Sequence, residues 1–120
     1  MRRICFVIAA CLAVSPLLAQ DPIKVDSKHY TVVFENERVR VVRITYGPHE
    51  KSVMHHHPDS VAVFLSDQSV RFTYPDGKSE VVSGKAKTAT WNKSGNHLPE
   101  NVGEGPLDLI LVELKSPPSK

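Results

Sequence analysis

SVRFTYPDGKSEVVS (residues 69–83) decides the fold class, because it joins two strand-like runs through a tight turn. The turn residues 74–78 place a proline early and a glycine late, which is typical of a hairpin connection. Alternation along the first run puts Val70, Phe72 and Tyr74 on one face. The stretch therefore predicts an antiparallel β-hairpin with one apolar face.

Short runs rich in β-branched and aromatic residues continue on both sides of this hairpin, and turn residues separate each run from the next. No stretch keeps a sustained helical period, so the pattern predicts an all-β protein, a sandwich or barrel. The runs 61–65 and 109–112 are apolar at every position, which predicts strands covered on both faces. Eight candidate strands follow from the pattern: 29–35, 39–46, 53–57, 60–66, 69–74, 79–83, 87–92 and 107–114.

The chain begins with a short cationic segment, MRR, followed by the apolar run ICFVIAACLAV and, at the end of SPLLA, the small residue Ala19. This pattern predicts a secretory signal peptide over residues 1–19, and hence a periplasmic or secreted protein. The apolar run is too short for a transmembrane helix, which needs about 20 residues. Residues 8–11 offer an alternative, a lipoprotein cleavage box, but it would leave few apolar residues upstream.

Removal of this leader changes both the cysteine count and the charge. The two cysteines, Cys5 and Cys11, both lie in the leader, so we expect no disulfide and no thiolate chemistry in the mature chain. Loss of Arg2 and Arg3 lowers the 15 basic residues to 13, which equals the 13 acidic residues. A balanced charge without a basic stripe argues against nucleic acid or an acidic membrane as the main partner.

The length predicts one domain. Removing 19 of the 120 residues leaves enough chain to bury a single core, and no internal repeat is present. We expect an N-terminal arm at 20–27, the folded domain at 28–115 and a disordered tail at 116–120, because the terminal KSPPSK combines prolines with charges.

Three consecutive histidines stand in MHHHPDSVAVF (residues 54–64), directly before a strand-like run. In a strand, His55 and His57 project to the same face about 7 Å apart, whereas His56 points away. Two imidazoles on one face can bind one ion, but a protein metal site needs a third ligand, for which His97 is the best candidate. The alternative is an exposed patch that binds nickel or copper adventitiously.

These histidines carry a resemblance to a known family. The chain from about residue 37 to residue 114 resembles a small single-domain cupin, a double-stranded β-helix or jelly-roll barrel. His55-x-His57 matches the histidine pair of the family's first motif. His97 and Asn101 have the separation of the histidine and asparagine in its second motif.

The sequence departs from the family pattern at several positions. His49 stands where the first motif has a glycine, and Val61 or Ala62 stands where it has a glutamate. Gly95 is one residue closer to the histidine than the second motif has it. Valine and alanine cannot bind a metal, so the resemblance implies a site of three histidines, as in some cupin oxygenases of thiols and diketones.

Three neutral imidazoles leave the charge of a divalent ion uncompensated, which favours an anionic substrate or hydroxide in the open positions. We expect a divalent transition metal: Zn, Fe, Cu, Mn or Ni. Glu100 could add a fourth ligand or act as a general base, or it could be an exposed loop residue. Asp59 could accept a bond from an imidazole N–H, or it could cap the turn at Pro58.

The remaining histidines and aromatic residues are expected to be structural. His49 suits a turn with positive φ, and His29 suits a strand edge. The aromatic side chains are expected in the core, although one of them could line the mouth of a pocket: Phe64, Phe72, Tyr74 and Trp91.

Two functions stay open at this point. The first is an exported cupin that binds or transforms a small organic molecule at a three-histidine metal centre, with dioxygenase or isomerase chemistry if it is an enzyme. The second is a non-catalytic ligand-binding or sensing cupin with a structural metal or none. The resemblance also implies a homodimer that pairs through the edge run 29–35. The sequence has no serine-hydrolase elbow, phosphate loop or dinucleotide fingerprint.

Overall fold

A computed structural model describes residues 20–116, so the predicted leader and residues 117–120 of the predicted tail lie outside the described part. Within it the regular secondary structure is almost entirely β-strand, as the alternating pattern predicts. One short helix precedes nine strands in this part: α1 Pro22–Val25, β1 Tyr30–Glu35, β2 Val39–Tyr46, β3 His55–His57, β4 Ser60–Phe64, β5 Gln68–Thr73, β6 Ser79–Gly84, β7 Ala89–Asn92, β8 Gly95–Asn101 and β9 Leu107–Leu114.

The strands form two antiparallel sheets. The five-stranded sheet has the order β1-β2-β9-β4-β7, and the four-stranded sheet has the order β3-β8-β5-β6. Strands distant in sequence are therefore neighbours in space, as in a jelly roll, and β1 is a sheet edge as expected.

The predicted hairpin is confirmed. Strands β5 and β6 pair with Val70 opposite Val82, and the backbone N–H of Tyr74 donates to the carbonyl of Lys78 across the turn at 2.8 Å. Gly77 has φ +84, a conformation that favours glycine. The turn chemistry therefore fixes the register that the alternation predicts.

The core lies between the two sheets, on alternate residues of the strands. The prediction that residues 61–65 and 109–112 are covered on both faces is wrong: Val61, Val63, Ile110 and Val112 are half-buried, and Leu65 is 49% exposed. The outer faces of these antiparallel strands meet solvent instead of a second layer. The buried hydrophobic residues are Tyr30, Val42, Ile44, Tyr46, Ala62, Phe64, Val70, Leu107, Leu109 and Leu111.

Two elements differ from the prediction. Strand β8 was not among the eight candidates, because Gly95 and Pro99 have low strand propensity. Pro99 is nevertheless accommodated where β8 pairs with β5, opposite Phe72. The arm at 20–27 contains helix α1, which Asp21 caps by accepting a bond from the N–H of Ile23 at 3.1 Å. No helix within residues 20–116 is long and apolar enough to cross a membrane.

Candidate metal centre

Strands β3 and β8 bring the three predicted histidines together. His55 lies opposite His97 in the antiparallel register, and His57 lies opposite Gly95. The ring centroids are 4.8 Å apart for His55 and His57, 5.0 Å for His55 and His97, and 5.3 Å for His57 and His97. One nitrogen from each ring lies within 4.8 Å of the others, which is close enough to hold one metal ion.

Hydrogen bonds fix the tautomers of the first two rings. Nδ1 of His55 lies 2.8 Å from the carbonyl oxygen of Val53, and Nδ1 of His57 lies 2.7 Å from Oε2 of Glu113. Both partners can only accept, so each Nδ1 carries the proton and donates it. In the neutral form of the two rings, each Nε2 therefore presents a lone pair.

These two lone pairs face each other, with Nε2 of His55 only 3.0 Å from Nε2 of His57. Two acceptors at this distance repel each other unless a metal ion or a proton lies between them. Metal–imidazole bonds of about 2.0–2.1 Å place two ligand nitrogens about 3 Å apart. The donor chemistry and its spacing therefore fit a divalent transition metal.

The protein environment keeps two of the three rings, His55 and His97, neutral and ready to bind an ion. Burial, together with the neighbouring imidazoles, lowers the pKa of His55 to about 4 and that of His97 to about 3. Phe72 stacks on the His97 ring with centroids 4.7 Å apart and planes 24° from parallel. Protons therefore do not compete with a metal for these nitrogens near neutral pH.

A chain of bonded charges, buried at the Glu113 end, supports His57. Glu113 is 2% exposed and accepts bonds from His57 and from Nε of Arg40, the latter at 2.5 Å. Although burial alone would raise the pKa of Glu113, the bonds from His57 and Arg40 lower it, so the carboxylate stays ionised. Arg40 also donates to both oxygens of Asp21, at 2.8 and 3.0 Å. The N-terminal arm is thus linked to the histidine cluster.

A second polar network surrounds His55. The hydroxyl of Tyr30 lies 3.2 Å from Nε2 of His55 and 2.5 Å from the hydroxyl of Tyr46. Burial raises the pKa of both tyrosines, so both hydroxyls stay protonated. The Ser52 hydroxyl lies 3.4 Å from Nδ1 of His55 and donates to Asp26 at 2.5 Å.

The prediction that His29 is an unremarkable strand-edge side chain is wrong. His29 is 7% exposed and stacks on Tyr46, with centroids 4.3 Å apart. Its Nδ1 lies 2.8 Å from Asp26 and its Nε2 lies 3.1 Å from Glu50. Because the arm folds back over this part of the sheet, the side chain is covered and bonded at both nitrogens.

A cavity of about 480 Å³ opens beside the histidine cluster, between the two sheets. His57, His97 and Tyr30 contribute to one part of its wall, and apolar core residues line much of the remainder. Trp91 also lines the cavity but is 55% exposed, so the expectation that it belongs to the core is wrong.

The other candidate residues lie outside the cluster. Glu100 is on the face of β8 opposite His97 and accepts a bond from Arg71 at 3.2 Å, so it neither adds a ligand nor lines the cavity. Asp59 accepts from the backbone N–H of Ser94 at 2.7 Å, so its side chain bonds to the connection between β7 and β8 rather than to an imidazole or the turn at Pro58. His56 points away, as predicted, with its Nδ1 3.0 Å from Asn96.

His49 has φ +62, which confirms the turn expected for it. Val61 and Ala62, where the family glutamate would fall, provide no carboxylate, as predicted from the sequence. Glu113 supplies a carboxylate from β9 instead, as a partner of His57 rather than as part of the three-histidine group.

Sequence reasoning missed Glu113 and Tyr30. A signal for Glu113 was available, because alternation places it on the same face of β9 as the inward-facing Leu107, Leu109 and Leu111. A charged residue at an inward position suggests a buried partner. No comparable signal singles out Tyr30 from other strand tyrosines.

Comparison with known proteins supports the fold. No protein-family model matches the chain, and no curated protein shows significant similarity to it. Among solved structures, the chain is similar to a cupin domain from Bordetella pertussis Tohama I, with 24% identity and a TM-score of 0.67 over 72% of this chain and 92% of that one.

Two further structures are similar over most of their length. One is an uncharacterized conserved protein with a double-stranded β-helix domain from Klebsiella pneumoniae, with 20% identity and a TM-score of 0.57 over 71% of this chain and 74% of that one. The other is a cupin family protein from Methanocaldococcus jannaschii, with 16% identity and a TM-score of 0.56 over 74% of this chain and 83% of that one. The chain therefore has the double-stranded β-helix fold of a small cupin.

Proposed function

We propose that this protein binds a divalent transition metal through His55, His57 and His97 and uses the centre to bind or transform a small organic molecule. The observation that carries the proposal is the 3.0 Å approach of two Nε2 atoms whose rings both donate through Nδ1. A cation relieves this repulsion, and a third imidazole lies within reach. The cavity beside the cluster provides room for a ligand.

A bound metal would supply Lewis acidity, and the protein's own residues hold the ligands in place. Val53 and Glu113 keep the protons of His55 and His57 on Nδ1, so Nε2 stays available. Tyr30 lines the cavity with a neutral hydroxyl that can donate a hydrogen bond to a ligand. Dioxygenase- or isomerase-like chemistry is the catalytic form of this proposal.

A non-catalytic ligand-binding or sensing role is the second candidate, and one observation favours it. Among the described residues that line the cavity, Glu80 is the only carboxylate. It is exposed and accepts a bond from the hydroxyl of Tyr74 at 2.5 Å, so it is not placed as a base beside the cluster. Reactions that need a protein carboxylate to remove a proton are therefore disfavoured.

Metal content tests the proposal. Protein purified without an affinity tag and exposed to zinc should retain close to one equivalent after dialysis, as measured by elemental analysis. His97→Ala should lower this to a trace. His56→Ala is the matched control, because His56 is adjacent in sequence but points away from the cluster. Equal zinc retention by His97→Ala and the unchanged protein would rule out the site.

Export and dimerisation are part of the same proposal. The cationic and apolar character of residues 1–19 supports export, and the exposed Val33 and Phe34 on the edge strand β1 support pairing with a second copy. The intact mass of exported protein should correspond to a chain that starts at Gln20. Light scattering should give twice the mass of that chain, and Val33→Lys should convert it to a monomer.

A further inference from the structure

We propose that the ligand of this cavity is a small aromatic monoanion, bound with its charged group at the metal and its ring in the apolar chamber. The inference rests on the proposed metal site and adds the chemical class of the ligand. Four features of the described residues support it: the fixed charges, an unpaired hydroxyl, the apolar wall and the aromatic side chains.

The charge balance at the cluster favours one negative charge. Metal-bound imidazoles are neutral, and the charges connected to His57 are Glu113, Arg40 and Asp21. On the other side of the cluster, Asp26 reaches His55 through Ser52 and is paired with His29. Two negative charges and one positive charge offset one of the two charges of a divalent ion. A monoanion in an open position would complete the neutralisation, which matters because buried charge without a partner is unfavourable.

A hydroxyl close to the cluster has no partner in the described part of the chain. Ser60 is fully buried, lines the cavity and pairs in register with Glu113, the residue that holds His57. Its Oγ makes no hydrogen bond to the described residues. A carboxylate at the metal would offer an acceptor to this donor.

Part of the lining suits an apolar body, since it consists of Ile44, Phe64, Val70, Leu107, Leu109 and Leu111. Neutral polar side chains also line the chamber, among them Gln68, whose buried Oε1 has no hydrogen-bond partner in the described part of the chain. Apart from the histidines, the lining residues with charged side chains are Glu80 and Lys93, both exposed. A volume of about 480 Å³ lies at the lower end of the range for small-ligand pockets, roughly 300–1,000 Å³, so it fits a single ring with a short side chain.

Aromatic side chains favour a ring over a simple alkyl chain. Phe72 stacks on His97 beside the cluster, and Trp91 presents a half-exposed indole to the cavity. Ring faces and edges at these positions offer stacked and edge-on contacts to an aromatic ligand.

Phenylacetate is a suitable probe, and Trp91 reports its binding because it is the only tryptophan in the chain. Zinc stoichiometry is measured first, so that failure of the metal site is distinguished from failure of the ligand assignment. Zinc-loaded protein should bind phenylacetate at least about tenfold more tightly than metal-free protein, by tryptophan fluorescence and calorimetry. Acetate, which lacks the ring, and phenylacetamide, which lacks the charge, should each bind at least about tenfold more weakly than phenylacetate.

Two neighbouring valines of β6 provide a matched pair of variants. Val82 lines the cavity and is 40% exposed, whereas Val81 lies on the other face and is 54% exposed. Val82→Glu should weaken phenylacetate binding several-fold and Val81→Glu should not, with zinc stoichiometry unchanged in both. If zinc binds but phenylacetamide binds as tightly as phenylacetate, or if the two variants behave alike, the ligand class is wrong.

Discussion

Replacing Glu113 by glutamine tests whether the buried carboxylate positions His57 for metal binding. Both groups that reach Glu113 are donors: Nδ1 of His57 at 2.7 Å and Nε of Arg40 at 2.5 Å. Glutamine has one acceptor oxygen, so its NH₂ group would face one of these donors. If the oxygen turns to Arg40, the His57 proton loses its acceptor and can move to Nε2, the atom that binds the metal.

The structure allows both effects to be estimated. Leaving one buried donor unpaired costs about 1–3 kcal/mol, and loss of charge assistance in the other bond costs about 1 kcal/mol more. We therefore expect the free energy of unfolding of the metal-free protein to fall by about 3 kcal/mol. Loss of a residue that orients a metal-binding histidine typically lowers metal affinity about 10–100-fold. We expect the zinc affinity of Glu113→Gln to fall by this factor.

Urea unfolding measures the first effect, and competition with a chromophoric zinc indicator measures the second. Glu104→Gln is the matched control, because Glu104 meets Nε2 of His49 at 3.2 Å but its side chain is 90% exposed. This control should change the unfolding free energy by no more than about 0.5 kcal/mol and leave zinc affinity unchanged. A Glu113→Gln protein that is destabilised but binds zinc within twofold of the unchanged protein would refute the positioning role.

Three further outcomes are expected. The metal-free protein should lose stability as pH falls below 6.5, by up to about 1.4 kcal/mol per pH unit for each of His55 and His97, until their folded pKa values of about 4 and about 3 are reached. The cause is that His55 and His97 take up protons in the unfolded chain at pH values at which the buried rings do not. Urea midpoints that do not change with pH would contradict this prediction. Tyr30→Phe should lower the unfolding free energy by about 1–2 kcal/mol, because it removes a buried hydroxyl with two partners. Tyr74→Phe, the control, should change it by less than about 0.5 kcal/mol. Equal effects of the two substitutions in chemical denaturation would contradict the structural role of the Tyr30 hydroxyl. Zinc at one hundred times its dissociation constant should raise the free energy of unfolding by about 2.7 kcal/mol, measured by thermal or chemical unfolding. The His97→Ala variant should show no such gain.

The strands were predictable where local chemistry alone determines them. Strands β2 and β9 have the bounds that alternation predicts, and the turn between β5 and β6 has the glycine that its geometry favours. Strand β8 was not predictable in this way, because Gly95 and Pro99 oppose strand formation locally. Pairing with β3 and β5 outweighs that preference, and such pairing is not visible in the segment itself.

The cluster was predictable for a different reason. His55 and His57 share a face through alternation, and the family resemblance supplies His97. The residues that hold these rings were harder to foresee, since Arg40 and Glu113 lie 73 positions apart and Asp21 belongs to a segment expected to be a simple arm. Long-range ion pairs of this kind depend on strand order, which spacing along one chain does not encode.

The link between helix α1 and Arg40 has a consequence for how far the protein can be shortened. The carbonyl of Gln20 accepts a bond from the backbone N–H of His56 at 2.8 Å. Asp21 accepts two bonds from the guanidinium of Arg40, which also donates to Glu113. Loss of residues 20 and 21 would remove both contacts without touching a histidine. Forms of the protein that begin before and after these two residues would then differ in how well they retain an ion.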